Sequence, residues 1–77
     1  MQSQTACLQR LITPQEYQSA RHRIFPSEAS LDWHMRTHRS DLMARGALVR
    51  VTSRNLIDPE IYDEAALEFA RRKLAAP

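Results

Sequence analysis

Gly46-Ala47-Leu48-Val49-Arg50-Val51-Thr52-Ser53-Arg54-Asn55-Leu56-Ile57 decides the fold, because the hydrophobic period changes there from that of a helix to that of a strand. Ala47-Leu48-Val49-Arg50-Val51-Thr52 is β-branched and alternating, Ser53-Arg54-Asn55 reads as a turn, and Leu56-Ile57 reads as a short return strand. Asn55 is the natural turn residue, since asparagine tolerates the left-handed conformation that a tight turn needs. The expected product is a compact β-hairpin with Arg50 and Arg54 on or near its tip. Gly46, the only glycine, stands where a preceding helix needs positive φ at its C-cap.

Upstream of the hairpin the signals are helical. Thr13-Pro14-Gln15-Glu16 combines a cap, a proline at the first helical position and the acid of a capping box. It predicts a helix from Pro14 to about His22, with Tyr17 and Ala20 inward and Leu11 or Ile12 stapling its start. Ile24-Phe25-Pro26-Ser27 is a boundary, because Pro26 holds Phe25 extended and Ser27 is a good N-cap. A second helix is expected from Glu28 to about His38. Leu31, His34, Met35 and His38 share one face of it, and Glu28, Ala29, Asp32, Trp33 and Arg36 share the other. Ser40 can cap a short third segment, Asp41 to Arg45.

Downstream, Asp58-Pro59-Glu60 opens a last helix in which Ile61, Tyr62, Ala65, Ala66, Phe69 and Leu74 form a broad apolar face. Arg71, Arg72 and Lys73 complement the negative end of its dipole. Residues 1–9 are polar, lack periodicity and read as a disordered tail; residues 10–77 read as one domain. The fold class is therefore mainly α with a small β-hairpin, an α+β arrangement.

Composition narrows the function classes. Cys7 is the only cysteine, so no disulfide is available and a reducing compartment is expected. No apolar run reaches the ~20 residues of a membrane span, and no hydrophobic signal segment stands out; a cytoplasmic protein with no membrane partner is expected. The net charge is only +2, but residues 1–57 hold eight arginines against four acids. Ten of the eleven basic residues are arginine, whose planar fork suits phosphate and guanine better than lysine does.

Two chemistries are set aside. His34-Met35-Arg36-Thr37-His38 looks like the second half of a zinc finger, yet the interval before it contains no cysteine, so no metal site is expected. There is no Gly-rich phosphate loop and no supported nucleophile arrangement, so no catalytic residue and no cofactor are expected.

Leu11-Ile12-Thr13-Pro14-Gln15-Glu16-Tyr17, Phe25-Pro26-Ser27-Glu28-Ala29-Ser30-Leu31, Arg45-Gly46-Ala47-Leu48-Val49-Arg50 and Asn55-Leu56-Ile57-Asp58-Pro59-Glu60-Ile61-Tyr62 stand in a telling order. From Leu11 to about Phe69 the chain resembles the winged helix-turn-helix excisionases, the related AlpA-like prophage regulators and MerR-type DNA-binding heads. It departs from their pattern in lacking a glycine in the wing turn and in a longer, more helical spacer from Arg39 to Arg45. The resemblance implies a winged helix-turn-helix that binds double-stranded DNA for a mobile genetic element. Its role would be that of a recombination directionality factor or a transcription regulator, in a bacterial or phage-infected cell, associated with the nucleoid. Integrase or RNA polymerase would be its protein partners.

By that pattern the residues facing bases are Glu28, Ala29, Asp32, Trp33 and Arg36. Arg36 can bind guanine in bidentate fashion, Ala29 can meet a thymine methyl, and Glu28 or Asp32 can accept from cytosine. Ser27, Ser30, Thr37 and Arg39 are placed for phosphates, and Arg50, Arg54 and Asn55 for a minor groove or backbone. The plainer reading makes the two acids helix N-terminal residues and Arg36 a solvated side chain. For Trp33 the first expectation is packing on Asp41 to Arg45, with DNA sugars or a second protomer as alternatives. Surplus apolar surface on the last helix suggests self-association, in solution or on adjacent DNA sites. The rival function is a small phage-type module that binds or inhibits a host protein. Under it an apolar or acidic patch would replace the converging arginines Arg36, Arg39, Arg50 and Arg54.

Overall fold

Thr13 opens the first helix, α1 (Pro14–Ala20), through a reciprocal capping box. Its hydroxyl accepts from the Glu16 amide at 3.1 Å, and the Glu16 carboxylate accepts from the Thr13 amide at 2.9 Å. The computed structural model describes residues 10–75, with side chains through Lys73. Within that span α1 is followed by α2 (Glu28–Thr37), α3 (Arg39–Arg45), an antiparallel hairpin of β1 (Leu48–Val51) and β2 (Arg54–Ile57), and α4 (Pro59–Ala75). The described residues are thus mainly helical with one small hairpin. The expected tail, including Cys7, lies outside them, as does the Leu74 side chain.

Several boundaries differ from the sequence reading, each for a local reason. Helix α1 stops at Ala20 rather than His22, where Arg21 leaves helical backbone. Amides of Ile24 and Phe25 then both close back on the Arg21 carbonyl at 2.9 Å. With so short a helix only Tyr17 is buried, and Ala20 faces solvent. In α2, Ser30 takes the place of the usual acid and forms a capping box with Ser27. His38 closes α2 and opens α3 without a side-chain cap bond. No linker is left between them, so Ser40 falls inside the first turn of α3 and does not cap it. Gly46 ends α3 with φ of 81°, the left-handed value for which glycine is favoured.

The hairpin pairs Leu48 with Ile57, Val49 with Leu56, Arg50 with Asn55 and Val51 with Arg54. Its turn is therefore Thr52-Ser53, with φ of 47° and 69°, and not Ser53-Arg54-Asn55. Two consecutive positive φ values give the strand-matched twist of a two-residue hairpin turn. Arg54 and Asn55 belong to β2, and Asn55 is paired in the ladder. Ile12 adds a backbone bridge to Ile57, with amide–carbonyl bonds of 2.9 and 2.8 Å that tie the approach to α1 onto the hairpin.

Asp58 caps α4, its Oδ1 accepting from the amides of Glu60 at 3.2 Å and Ile61 at 3.3 Å. The carboxylate is buried and receives Arg10 Nη2 on its other oxygen at 2.8 Å. Tyr62, Ala65 and Phe69 then run along one face of α4 into a core with Tyr17, Phe25, Leu31, Met35, Leu42, Ala47, Leu48 and Ile57. Each large side chain so buried contributes about 1.5–3 kcal/mol. The centre is aromatic: Tyr17 lies 4.8 Å from Tyr62, Phe25 5.1 Å from His34, and His38 stacks on Phe69 at 4.1 Å. Stacked and edge-on rings add about 0.5–1.5 kcal/mol per pair beyond their area.

Candidate nucleic-acid interface

Helix α2 buries Leu31 and Met35, so the capping turn at Ser27 sets Glu28, Ala29 and Arg36 toward solvent, with Asp32 partly exposed. Three adjoining clefts run along this side. One of about 370 Å³ lies between Glu28, Ala29 and Asp32 of α2, Pro14 and Gln15 of α1, and Asn55 of β2. One of about 240 Å³ continues it between Asp32, Arg36, Arg39, Leu48 and Asn55. A third, of about 360 Å³, joins Thr13, Pro14 and Gln15 to Arg54, Asn55 and Leu56. Asn55 lines all three.

Strand alternation then places the arginines. Arg50 stands opposite Asn55 in register, so both project from the pleat face that also carries Leu48 and Ile57. Arg36 and Arg39 line the cleft where the end of α2 meets the hairpin, and Arg50 stands across the ladder from Asn55, which lines that cleft with them. Arg54 projects to the opposite pleat face and reaches the edge of the site beside the start of α1. Gln15, Pro14 and Thr13 were not expected at the site from the sequence. Their spacing signals only a helix start, and the Ile12–Ile57 bridge that brings them here has no sequence signature.

The site differs from the rest of the surface in how its cations are partnered. Away from it, Arg21 is held by Asp63 at 2.6 Å, Arg45 by Glu68 at 2.7 Å and Asp41 at 3.2 Å, and Arg72 by Glu68 at 2.7 Å. Those contacts raise the pKa of Arg21 and Arg45, and they lower that of Glu68 to about 2. Among the described residues Arg39, Arg50 and Arg54 form no ion pair. Arg23, Arg71 and Lys73 also form none; like Arg50 they line none of these three clefts, but they lie outside the hairpin, whereas Arg50 is paired in register with Asn55. Arg36 is paired with Asp32 one turn earlier, with Nε 3.0 Å from Oδ2. An exposed pair of this kind is worth only about 0.3–0.5 kcal/mol, so Arg36 is readily released to a stronger acceptor.

The hydroxyls are unequal. Ser30 Oγ donates to the Ser27 carbonyl at 2.7 Å, and Thr37 Oγ1 donates to the Trp33 carbonyl at 2.7 Å. The Ser27 hydroxyl only accepts, from the Ser30 amide at 3.2 Å. Ser27 alone of the three thus keeps its proton for an outside acceptor.

Trp33 does not pack on Arg39–Arg45. It is 65% exposed and borders a separate cleft with Ile24, on the flank of α2 away from the hairpin.

His34 and His38 are engaged in packing. His34 Nδ1 lies 2.7 Å from the Tyr62 hydroxyl. Burial, followed by the charge of nearby His38, lowers the His34 pKa to about 4. Among the described residues no group of three His, Cys, Asp or Glu side chains is placed to hold a metal ion, and no helix is long and apolar enough to cross a membrane. Comparison with protein-family models, with curated proteins and with solved structures gave no match to this chain.

Proposed function

We propose that the chain is a non-enzymatic, cytoplasmic double-stranded-DNA-binding protein of winged helix-turn-helix type, with α2 as recognition helix and the β1–β2 hairpin as wing. The observation that carries this reading is that Arg36, Arg39 and Asn55 line one cleft between α2 and the hairpin, with Arg50 opposite Asn55 in the ladder, and that Arg39 and Arg50 lack any carboxylate partner among the described residues. A helix presenting Ala29, Asp32 and Arg36 fits a major groove, where Arg36 can exchange Asp32 for the two acceptors of guanine. Arg39 and Arg50 then lie over phosphates on one side, and Arg54 reaches the backbone or minor groove beyond the α1 edge.

Glu28 and Asp32 limit how α2 can sit. Carboxylates are repelled by phosphate, so they favour a pose in which both meet base-edge donors such as cytosine N4. The rival host-protein module calls for an acidic or apolar patch in place of the arginines. Here none of the large exposed apolar residues Ile24, Trp33, Met43 and Leu67 lines the clefts of this face. A role as recombination directionality factor or regulator of a mobile element rests on the resemblance alone.

A gel-shift titration against a randomised duplex pool, repeated at two salt concentrations, tests the reading. Roughly three phosphate contacts predict that the logarithm of affinity falls against the logarithm of salt with a slope of about −3. Binding without salt dependence, or no binding at low salt, would remove the basis for it.

A further inference from the structure

We infer that the cleft beside Trp33 docks an acidic, amphipathic segment of a partner protein. The cleft, of about 540 Å³, lies between α2 and α4, with Phe25, Ala66, Phe69 and Ala70 in its lining. Trp33 and Ile24 stand at its edge, each 65% exposed. Large exposed apolar side chains grouped around a concave surface mark an interaction site, and tryptophan is the commonest anchor of one.

Charge selects the occupant. The cleft is bordered by Arg72 and Lys73, and no carboxylate lines it. Arg72 is held by Glu68 at 2.7 Å, whereas Lys73 has no ion pair among the described residues. A helix with apolar residues one turn apart and acids alongside would fill the apolar floor and answer Lys73. A second copy related by two-fold symmetry would instead set two Arg72–Lys73 pairs against each other. Stacked nucleobases fit less well, because only Trp33 offers a free ring. Phe69 is already stacked on His38 at 4.1 Å and overlain by Arg45 and Arg72 at 5.2 and 5.7 Å. Trp33 and Thr37 face this cleft while Glu28, Asp32 and Arg36 face the hairpin clefts. Occupancy here leaves the other flank of α2 open, and the inference does not depend on the duplex reading.

Trp33 is the only tryptophan, so its emission reports on the cleft directly. The probes are a synthetic amphipathic helix carrying Leu and Phe on one face and Glu on the other, and its counterpart with Lys for Glu. The acidic peptide is expected to shift Trp33 emission to the blue and to bind about ten-fold more tightly than the basic one. Lys73→Glu should reverse that preference. Trp33→Ala, at an exposed position that leaves the core intact, should weaken a labelled acidic peptide by about ten-fold or more. Arg39→Ala combined with Arg50→Ala should leave peptide affinity unchanged, while duplex affinity is measured separately. The inference is overturned by equal affinity for both peptides or by loss of peptide binding in the Arg39/Arg50 variant. It is equally overturned by an emission shift with single-stranded oligonucleotide, by a concentration-dependent shift of the protein alone accompanied by dimerisation, or by emission that is already blue and insensitive to peptide.

Discussion

The Asp63 carboxylate accepts the Tyr17 hydroxyl at 2.6 Å while holding Arg21 through Nε at 2.9 Å and Nη2 at 2.6 Å. One side chain of α4 thereby fixes both the middle and the end of α1. The Arg21 contact, aided by the Tyr17 bond, lowers the Asp63 pKa, and burial followed by Asp63 raises that of Tyr17. Because α1 is a single short helix with one buried residue, this junction acts with the Ile12–Ile57 bridge to keep Thr13, Pro14 and Gln15 beside Asn55.

Asp63→Ala should destabilise the fold by about 2 kcal/mol, since it leaves the buried Tyr17 hydroxyl without its acceptor. Tyr17→Phe, which removes the donor as well as the need for it, should cost about 1 kcal/mol. At this chain length 1 kcal/mol corresponds to roughly 4–8 °C in Tm, so thermal melts separate the two variants. Glu64→Ala, at the exposed neighbouring position, should change stability by less than about 0.5 kcal/mol. Equal effects at positions 63 and 64 would remove the junction from the account.

The hairpin turn yields a stabilising prediction. Thr52 and Ser53 both hold positive φ, a conformation that costs a residue with a Cβ about 1–2 kcal/mol. Thr52→Asn with Ser53→Gly, the pair that a two-residue turn favours, should raise stability by about 1 kcal/mol. Denaturant melts read the change, and an unaltered midpoint would argue against the Thr52-Ser53 turn.

That turn also shows where the sequence was legible and where it was not. The caps at Thr13, Ser27 and Asp58 and the left-handed Gly46 were readable, because each depends on a side chain or backbone freedom within a few residues. The hairpin was readable as well, but its turn was misplaced, because Asn55 carries turn propensity and Thr52 does not. A usable signal was present: pairing apolar Leu48 with Ile57 and Val49 with Leu56 folds the chain about the Thr52–Ser53 bond. No sequence signal announces the ion pairs from Arg21 to Asp63 or Arg45 to Glu68, which span the domain. Those pairs separate Arg21 and Arg45 from Arg39, Arg50 and Arg54, which form no ion pair among the described residues. Trp33 was expected first to pack on Asp41 to Arg45, whereas it stands 65% exposed beside the cleft between α2 and α4.

His34 predicts a pH dependence whose sign follows from its lowered pKa. An unfolded histidine titrates near 6.5, whereas His34 in the fold titrates at about 4. Between those values the unfolded chain binds the additional proton, so stability should be full above pH 6.5 and fall as the pH drops toward 4. The loss attributable to this side chain is on the order of 2 kcal/mol, allowing for its partial exposure. Unfolding free energies measured across that range should lose most of this slope in His34→Phe, and an identical slope in the variant would assign it elsewhere.

Under the proposed duplex reading, Arg36 and Arg54 should fail in different ways. Arg36 lies on the exposed face of α2 and exchanges Asp32 for a base edge, so Arg36→Ala should cost about 1–3 kcal/mol at one base position and relax preference there. Arg54 projects from the far pleat face toward the α1 edge, where only the backbone or minor groove is in reach. Arg54→Ala should therefore weaken all sequences about equally and reduce the salt slope by about 1. Asp32→Asn frees Arg36 from its intrahelical partner and removes one negative charge from the face turned to the polyanionic duplex, so it should raise non-specific affinity. Binding profiles over a duplex library at two salt concentrations distinguish these outcomes. Matching profiles for the position 36 and position 54 variants would mean that α2 and the hairpin do not divide base and backbone contacts between them.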